Sequence, residues 1–318
     1  MSGSSGAPQV SVIVCTYNRA ESLRDTLRAL QAQMVSDGLA FEVVVVDNNS
    51  RDHTPAVVEA CAHGRGRPIR YIFEPVQGLS HARNRGIREA RGELLAFTDD
   101  DVVPDADWVE ALWQAAERFQ ADAVGGRILP LWAKEPPAWL AGQQPLLESL
   151  ALLDGGPEPV MNGIHTAYRI YGANMAFRKA IFSEIGAFRT DLGVVGSKQM
   201  RGDETDFLVR AHHAGKRLLY APQAVVHHKV PAERMRLGYF RRVRFGEGRA
   251  TVRCGELAPK PFPRWLVRQC GEHLLRSVWA YGRGRLAQGV HQEMVFWEQA
   301  GELVELVTPS RANGTPRP

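Results

Sequence analysis

The chain has 318 residues, 44% hydrophobic and 23% charged, with a net charge of +4. That balance excludes a disordered or fibrous chain, and the length admits one large α/β domain with an appendage or two ordinary domains. No apolar run approaches the ~20 residues that cross a bilayer, the Gly/Ser-rich start lacks the parts of a signal peptide, and the four scattered cysteines form no C-x-x-C pair, so a cytoplasmic chain with free thiols is expected.

Val10 to Cys15 is a β-branched run, and Ala20 to Met34 follows with Leu23, Leu27 and Leu30 at helical spacing, so a strand leads into a helix. Phe41 to Val46 repeats the strand signal up to Asp47, and Asn48-Asn49-Ser50 turns the chain before a helix at Thr54 to Ala62. Ile69 to Phe73, a helix from about Ser80 to Ala90, and Glu93 to Phe97 continue the alternation. Short connections between alternating strands and helices specify a mostly parallel sheet with helices on both faces and a ligand at the carboxyl ends of the strands.

Three strand ends offer polar groups there: the loop Thr16-Tyr17-Asn18-Arg19, Asp47, and the triplet Asp99-Asp100-Asp101. Carboxylates packed this tightly repel, so the triplet reads as a site for a hard divalent cation with a phosphorylated ligand, or as a solvated acidic turn. The turn after the first strand, CTYNRA, has no glycine, which argues against a dinucleotide fold, and no G-x-x-x-x-G-K-S/T occurs.

A helix at Asp105 to Phe119 carries Trp108, Leu112 and Ala115/Ala116 on one face, and a strand is expected at Ala121 to Arg127. Leu129 to Gly163, rich in Pro and Gly, reads as an irregular excursion of the kind that forms lids or binding segments. Tyr171 to Phe177 is apolar, Gly202 to Ala214 is helical, and strands at Leu218 to Tyr220 and Ala224 to His227 close this part. From Lys229 to Arg285 there are fourteen Lys/Arg against four Asp/Glu, a net of +10, so an acidic body carries a basic tail. In that tail Tyr239 to Arg253 mixes arginines with aromatics. Arg264 to Tyr281 places Leu266, Val267, Cys270, Leu274, Val278 and Trp279 on or near one helical face, and Glu293 to Val307 reads as a last amphipathic helix. Such a tail fits either docking on anionic lipid or packing on the catalytic part.

VSVIVCTYNR (Val10 to Arg19), VVVVDNNS (Val43 to Ser50), GLSHARNRGIREARGELLAFTDDD (Gly78 to Asp101), YGANMAFRK (Tyr171 to Lys179) and GDETDFLVR (Gly202 to Arg210) stand in the order of the family 2 glycosyltransferases. The resemblance covers roughly Pro8 to Val230. It implies the GT-A fold over residues 9–230, between a flexible tail at 1–8 and a basic helical extension at 231–307, with a disordered end at 308–318. It implies an inverting transfer from a nucleoside-diphosphate sugar, UDP-sugar first, to a glycan or lipid-linked glycan, with Mn²⁺ or Mg²⁺ neutralising the leaving diphosphate. By similarity Asp101 holds the metal, Asp99 lies nearer the ribose or a metal-bound water, and Asp100 contributes field. Asp47 would accept a nucleobase N–H, with Thr16 and Asn18 lining that pocket, and Arg83 would reach the diphosphate.

The acids Asp203-Glu204-x-Asp206 supply the base that an acceptor hydroxyl needs. The family pattern points to Glu204, with Asp203 kept open because this chain reads Asp-Glu where Glu-Asp is common, and Asp206 is expected to pair with Arg210 one turn on. A third metal ligand or diphosphate contact is assigned by the resemblance to His228. No nucleic-acid partner is expected, and an anionic membrane surface is a candidate partner for the basic tail. Rival readings are a metal-dependent nucleotidyltransferase and a non-catalytic, membrane-associated binding module of the same fold.

Overall fold

The computed structural model describes residues 7–63, 67–161, 163–167, 169–194, 202–254 and 263–308. The expected flexible ends, 1–8 and 308–318, lie outside the described residues except for Ala7, Pro8 and Thr308. The chain forms two compact units. The first takes in Met1–Leu131, Ala151–Thr190 and Asp203–Lys229, and the second Trp132–Leu150, Asp191–Gly202 and Val230–Pro318.

The first unit is built on an eight-stranded sheet ordered β3-β2-β1-β4-β7-β6-β8-β5. Its first half is the expected alternation: β1 (Val10–Thr16), α1 (Ala20–Gln31), β2 (Phe41–Asp47), α2 (Thr54–Ala62), β3 (Ile69–Phe73), α3 (Leu79–Glu89) and β4 (Leu94–Asp99). β1, β2, β3 and β4 pair in parallel. β1 and β2 are buried almost end to end, which is why they read as unbroken apolar runs.

Beyond β4 the sheet turns mixed. β5 (Val102–Pro104), which the sequence reading missed, follows the acidic triplet directly and pairs antiparallel with β8 (Leu218–Val230). Three residues are too short for a periodic signal, and their pairing partner lies far along the chain. After α4 (Trp108–Phe119), β6 (Ala123–Trp132) and β7 (Met175–Arg178) run antiparallel to one another, and β7 runs antiparallel to β4. β8 is a single strand where two were expected, because Pro222 forfeits one ladder N–H while its fixed φ still suits extended chain. The stretch expected to be irregular holds the end of β6, a 3₁₀ turn at Ala138–Leu140 and α5 (Gln144–Ser149), with bridges from Ile128 to Leu153 and from Val160 to Tyr220. α6 (Ile164–Ala167), α7 (Ile181–Ile185) and α8 (Asp203–His213) complete this part. Phe97, Phe177, Phe182, Phe188 and Phe207 pack edge to face and stacked, at centroid distances of 4.9 to 6.2 Å, and join α8 to the sheet.

In the second unit, α9 (Leu237–Cys254), α10 (Arg264–Gly282) and α11 (Leu286–Val307) pack together. α9 and α11 touch backbone to backbone. A Cβ on Gly248 would lie 1.9 Å from the Glu298 carbonyl oxygen, and one on Gly301 2.1 Å from that of Phe245. Beside this crossing the α9 arginines meet α11 carboxylates: Arg241 with Glu293 at 2.7 Å, Arg244 with Glu298, and Arg249 and Arg253 with Glu305 at 2.8 and 2.7 Å. The basic run that the sequence offered to an anionic surface is thus largely matched inside the unit. α10 also differs from expectation. Leu266 and Cys270 turn inward with Ser277 and Ala280, whereas Val267, Leu274, Val278 and Trp279, read as part of the same face, are exposed. α11 starts seven residues earlier than expected, at Leu286, where Gly289 sits against the Tyr281 ring.

Candidate active site

The triplet occupies the step between two strands of one sheet. β4 ends at Asp99, Asp100 and Asp101 turn, and β5 begins at Val102. The register of β5 on β8 sets Val102 opposite His228 and sends the Lys229 N–H to the Asp101 carbonyl at 2.9 Å, which brings the imidazole Nε2 to 3.2 Å from Asp101 Oδ1. Thr16 Oγ1, at the end of β1, donates to Asp100 Oδ2 at 2.8 Å. Arg19 lays Nη1 between Asp100 Oδ1 at 3.0 Å and Asp101 Oδ2 at 2.9 Å. Burial works against the Arg19 charge, yet Asp100 and Asp101 outweigh it and raise its pKa. Burial pushes Asp99 up, reinforced by Asp101 and opposed by Arg83 and His228, and it pushes Asp100 up against the pull of Arg19.

The acid pair stands at the start of α8, where carboxylates suit the helix dipole. Arg83 Nη1, from α3, lies 2.5 Å from Asp203 Oδ2 and 3.2 Å from Glu204 Oε2, and Ser80 Oγ donates to Asp203 at 3.2 Å. The space for this guanidinium is left by Gly172, where a Cβ would fall 2.0 Å from Nη2, and the ring of Phe188 lies 5.5 Å from Arg83 Cζ. Asn84 fixes that ring's backbone by bonding both Phe188 N–H and C=O, at 3.0 and 2.8 Å. The two acids differ in access: 2% of the Asp203 side chain is exposed, against 21% for Glu204. Burial leads in raising the Asp203 pKa, although Arg83 opposes it. At Glu204 burial is overcome by the Arg83 charge and a hydrogen bond with Asp203, so its pKa falls. Asp206 pairs with Arg210 at 2.9 Å as expected, and also with Arg189 at 3.1 Å.

At the end of β2, the Asp47 carboxylate accepts from the Ser50 N–H at 2.8 Å and from the Tyr71 hydroxyl at 2.7 Å, so it closes an Asx turn and anchors a ring. Asn18, at φ 52°, accepts the Arg51 N–H at 2.7 Å, while its own N–H goes to Ser50 Oγ, which ties the β1–α1 loop to the β2–α2 loop. The structure therefore brings Thr16 to Asp100 and His228 to Asp101, with Arg19 across both carboxylates, and brings Arg83 to Asp203 and Glu204.

Several contributors are not singled out by the sequence. Arg19 lies within the first motif, whose pattern gives it no role. Ser80, Gly172 and Tyr71 carry no chemical signal of their own, since their roles depend on what comes near them in space. Asn174, inside the YGANMAF stretch, is fully buried: it accepts from Trp108 Nε1 at 2.8 Å and donates to the carbonyls of Arg127 at 2.9 Å and Ala224 at 2.8 Å. A buried amide with each bond made pins β6, β7 and β8 in place.

Residues 11–186 match the family described as Glycosyl transferase family 2. The chain is 31% identical over 245 residues to the succinoglycan biosynthesis protein ExoM of Rhizobium meliloti (strain 1021), covering 77% of this chain and 74% of that protein. It is 30% identical over 227 residues to a glucosyl-dolichyl phosphate glucuronosyltransferase of Haloferax volcanii, covering 70% and 69%. Among solved structures it resembles the mannosyltransferase PcManGT of Pyrobaculum calidifontis in complex with GDP-Man and Mn²⁺, with TM-score 0.62, 21% identity and coverage of 96% and 88%. It also resembles S. aureus TarS 1-349 in complex with UDP, with TM-score 0.55, 16% identity and coverage of 92% and 91%.

Proposed function

We propose, from the premise that the chain belongs to glycosyl transferase family 2 and has the GT-A fold, that it is a metal-dependent, inverting transferase. It moves a sugar from a nucleoside-diphosphate donor, UDP-sugar first, to a hydroxyl of a glycan or lipid-linked glycan. The observation that carries this reading is the pair of charged places in one unit: Asp101 beside His228 at 3.2 Å, and the partly open carboxylate of Glu204 held by Arg83 at 3.2 Å. Two relatives named for glycan assembly, ExoM and the dolichyl phosphate transferase, support the acceptor class, and neighbours crystallised with GDP-Man or UDP support the donor class.

The residues fit a divalent cation by the chemistry of their donors. Carboxylate oxygens and one imidazole suit Mn²⁺, and Arg19 is a single guanidinium set against two adjacent carboxylates, Asp100 and Asp101. Asp101 and His228 are the pair already adjacent; among the described residues no group of three such side chains stands together. A cation held by Asp101 and His228, with Asp99 alongside, would neutralise charge on the departing diphosphate.

The rest of the chemistry falls to the chain's own groups. Glu204 Oε takes the proton from the acceptor hydroxyl as that oxygen bonds the anomeric carbon, and the bond from that carbon to the diphosphate oxygen breaks with its electron pair. Inversion follows from a single displacement. Arg83 keeps Glu204 ionised and therefore able to accept, and buried Asp203 serves to hold Arg83. Transfer occurs at the cytoplasmic face of an anionic membrane that the C-terminal part meets. No helix among the described residues is long and apolar enough to cross a membrane.

Calorimetric titration with UDP and GDP, with and without Mn²⁺, tests the donor half. One diphosphate should bind in a Mn²⁺-dependent way that Asp101→Ala abolishes, and binding indifferent to both would overturn the reading. For the base, Glu204→Gln should lower turnover by about 10²–10⁴-fold with diphosphate affinity retained.

A further inference from the structure

α10 carries an apolar face that the molecule leaves in water. Leu275 is 72% exposed, Val278 61%, Trp265 51% and Trp279 48%, with Val267, Leu274 and Leu286 also exposed. They lie on the side of the helix away from Leu266, Cys270, Ser277 and Ala280, which are buried. Six exposed large apolar residues on one helix, with Leu286 at the start of the next, are more than scattered surface hydrophobes.

The charges around that face have one sign. Arg264, Arg268, Arg276, Arg283 and Arg285 are exposed along α10 and its following turn, against the single acid Glu272. Glu272 is matched twice over, by Arg268 at 2.8 Å and Arg276 at 3.5 Å. Arg283 and Arg285 lie over the Trp279 ring, at 4.2 and 5.3 Å. The contrast is with α9, where Arg241, Arg244, Arg249 and Arg253 point to glutamates of α11. The surplus positive charge of the C-terminal part is therefore concentrated beside the exposed apolar face.

We infer that the outer face of α10, from Trp265 to Trp279, docks this protein on an anionic lipid bilayer, lying in the headgroup region with Leu275, Val278 and Trp279 entering the acyl boundary. An apolar stripe flanked by arginines, with tryptophans able to sit at the headgroup level, is the pattern of an interfacial helix, and each arginine near an anionic surface adds to the attraction. This deepens the membrane encounter in the proposed function and rests on that reading. It narrows the contact from the whole basic tail, which the sequence offers, to α10.

The test uses the full chain in flotation with vesicles of phosphatidylcholine alone and of phosphatidylcholine mixed with phosphatidylglycerol. Wild type should float with the mixed vesicles, stay down with phosphatidylcholine, and detach in high salt. Leu275→Glu with Val278→Glu should lower partition by about tenfold or more, since it replaces burying groups with charges that the anionic surface repels. Arg268→Gln with Arg276→Gln should lower it several-fold. Both should keep the wild-type melting temperature and the Mn²⁺-dependent diphosphate binding, so loss of docking is distinguishable from failure of the transferase reading. Unchanged flotation of the Leu275/Val278 variant would overturn the inference. So would sedimentation velocity showing a wild-type dimer that the same variant converts to monomer, because a second copy would then be the occupant.

Discussion

Removing Arg83 tests whether the acid pair is held by a buried cation. Arg83→Met keeps much of the stem volume and deletes the guanidinium that reaches Asp203 at 2.5 Å and Glu204 at 3.2 Å. The Arg83 and Asp203 side chains are 4% and 2% exposed, so water does little to screen the loss. Breaking a buried pair from one side costs about 3–5 kcal/mol, most of it the stranded charge. At about 2–4 °C per kcal/mol for a unit of this size, the melting temperature should fall by roughly 6–20 °C. Asp203→Asn in the same chain removes the stranded charge and should restore at least half of that.

The pH dependence has a definite sign. Asp203 titrates above its ordinary range in the folded chain, first because it is buried, so its contribution is fully present below the unfolded pKa and is lost as pH rises. Glu204 titrates below its ordinary range because Arg83 outweighs burial, so its contribution is present above the unfolded pKa and is lost as pH falls. Arg83→Met deletes the cation that pairs with both acids and moves both carboxyls upward. The variant should therefore recover stability between about pH 8 and pH 5, measured by urea unfolding at each pH. A loss under about 1 kcal/mol, flat with pH and unrelieved by Asp203→Asn, would refute a buried ion cluster.

Gly172→Ala places a methyl where Arg83 Nη2 now sits, 2.0 Å away, so it should reproduce part of the Arg83→Met phenotype, including the same pH trend in unfolding. Asn174→Ala leaves the Trp108 N–H and the Arg127 and Ala224 carbonyls unpaired in the core and should cost about 2–4 kcal/mol by chemical denaturation, with Asn174→Asp no better because a carboxylate cannot donate. Arg19→Gln takes the cation from between Asp100 and Asp101, so Mn²⁺ alone should bind several-fold tighter by electron paramagnetic titration, and weaker binding would show that Arg19 does not occupy the cation's place. In pH profiles of turnover, the acid limb should move upward in Arg83→Met, because Glu204 then loses the charge that keeps it ionised.

The parallel half of the sheet was legible because strands buried on both faces must be continuously apolar, and helix α1 shows its period plainly. The antiparallel half was less so. β5 is three residues long, and β8 contains a proline, so their pairing emerges only when Val102 meets His228 across more than a hundred residues of chain. That register is also what makes His228 a neighbour of Asp101, a relation the family resemblance suggested and the sheet geometry explains. The acids of the site were readable as types, but their partners were not. Nothing local to Arg83 says that it will be buried against Asp203, because the gap it fills is defined by the missing side chain of Gly172, on another segment. Asp47 shows the opposite case, since its turn with Ser50 is written in the adjacent residues while its bond to Tyr71 is not.

Following the charges through the structure separates the arginines that are paired inside the molecule from those that are not. The acidic triplet carries its own cation in Arg19, the acid pair has Arg83, and the glutamates of α11 have the arginines of α9. Each of these pairs cancels within its own unit and contributes little to the field outside. What remains strongly one-signed is α10 and the turn after it, with five exposed arginines against one acid already shared between two of them. The +10 count along Lys229 to Arg285 is therefore a poor guide to where an anionic surface would be met. An arginine buried against a glutamate attracts lipid weakly, whereas one beside an exposed leucine gains from both the headgroup charge and the removal of apolar surface from water. The α9 arginines and the α10 arginines thus do opposite jobs with the same residue: one set closes the helical unit, and the other set gives it a side that water does not suit.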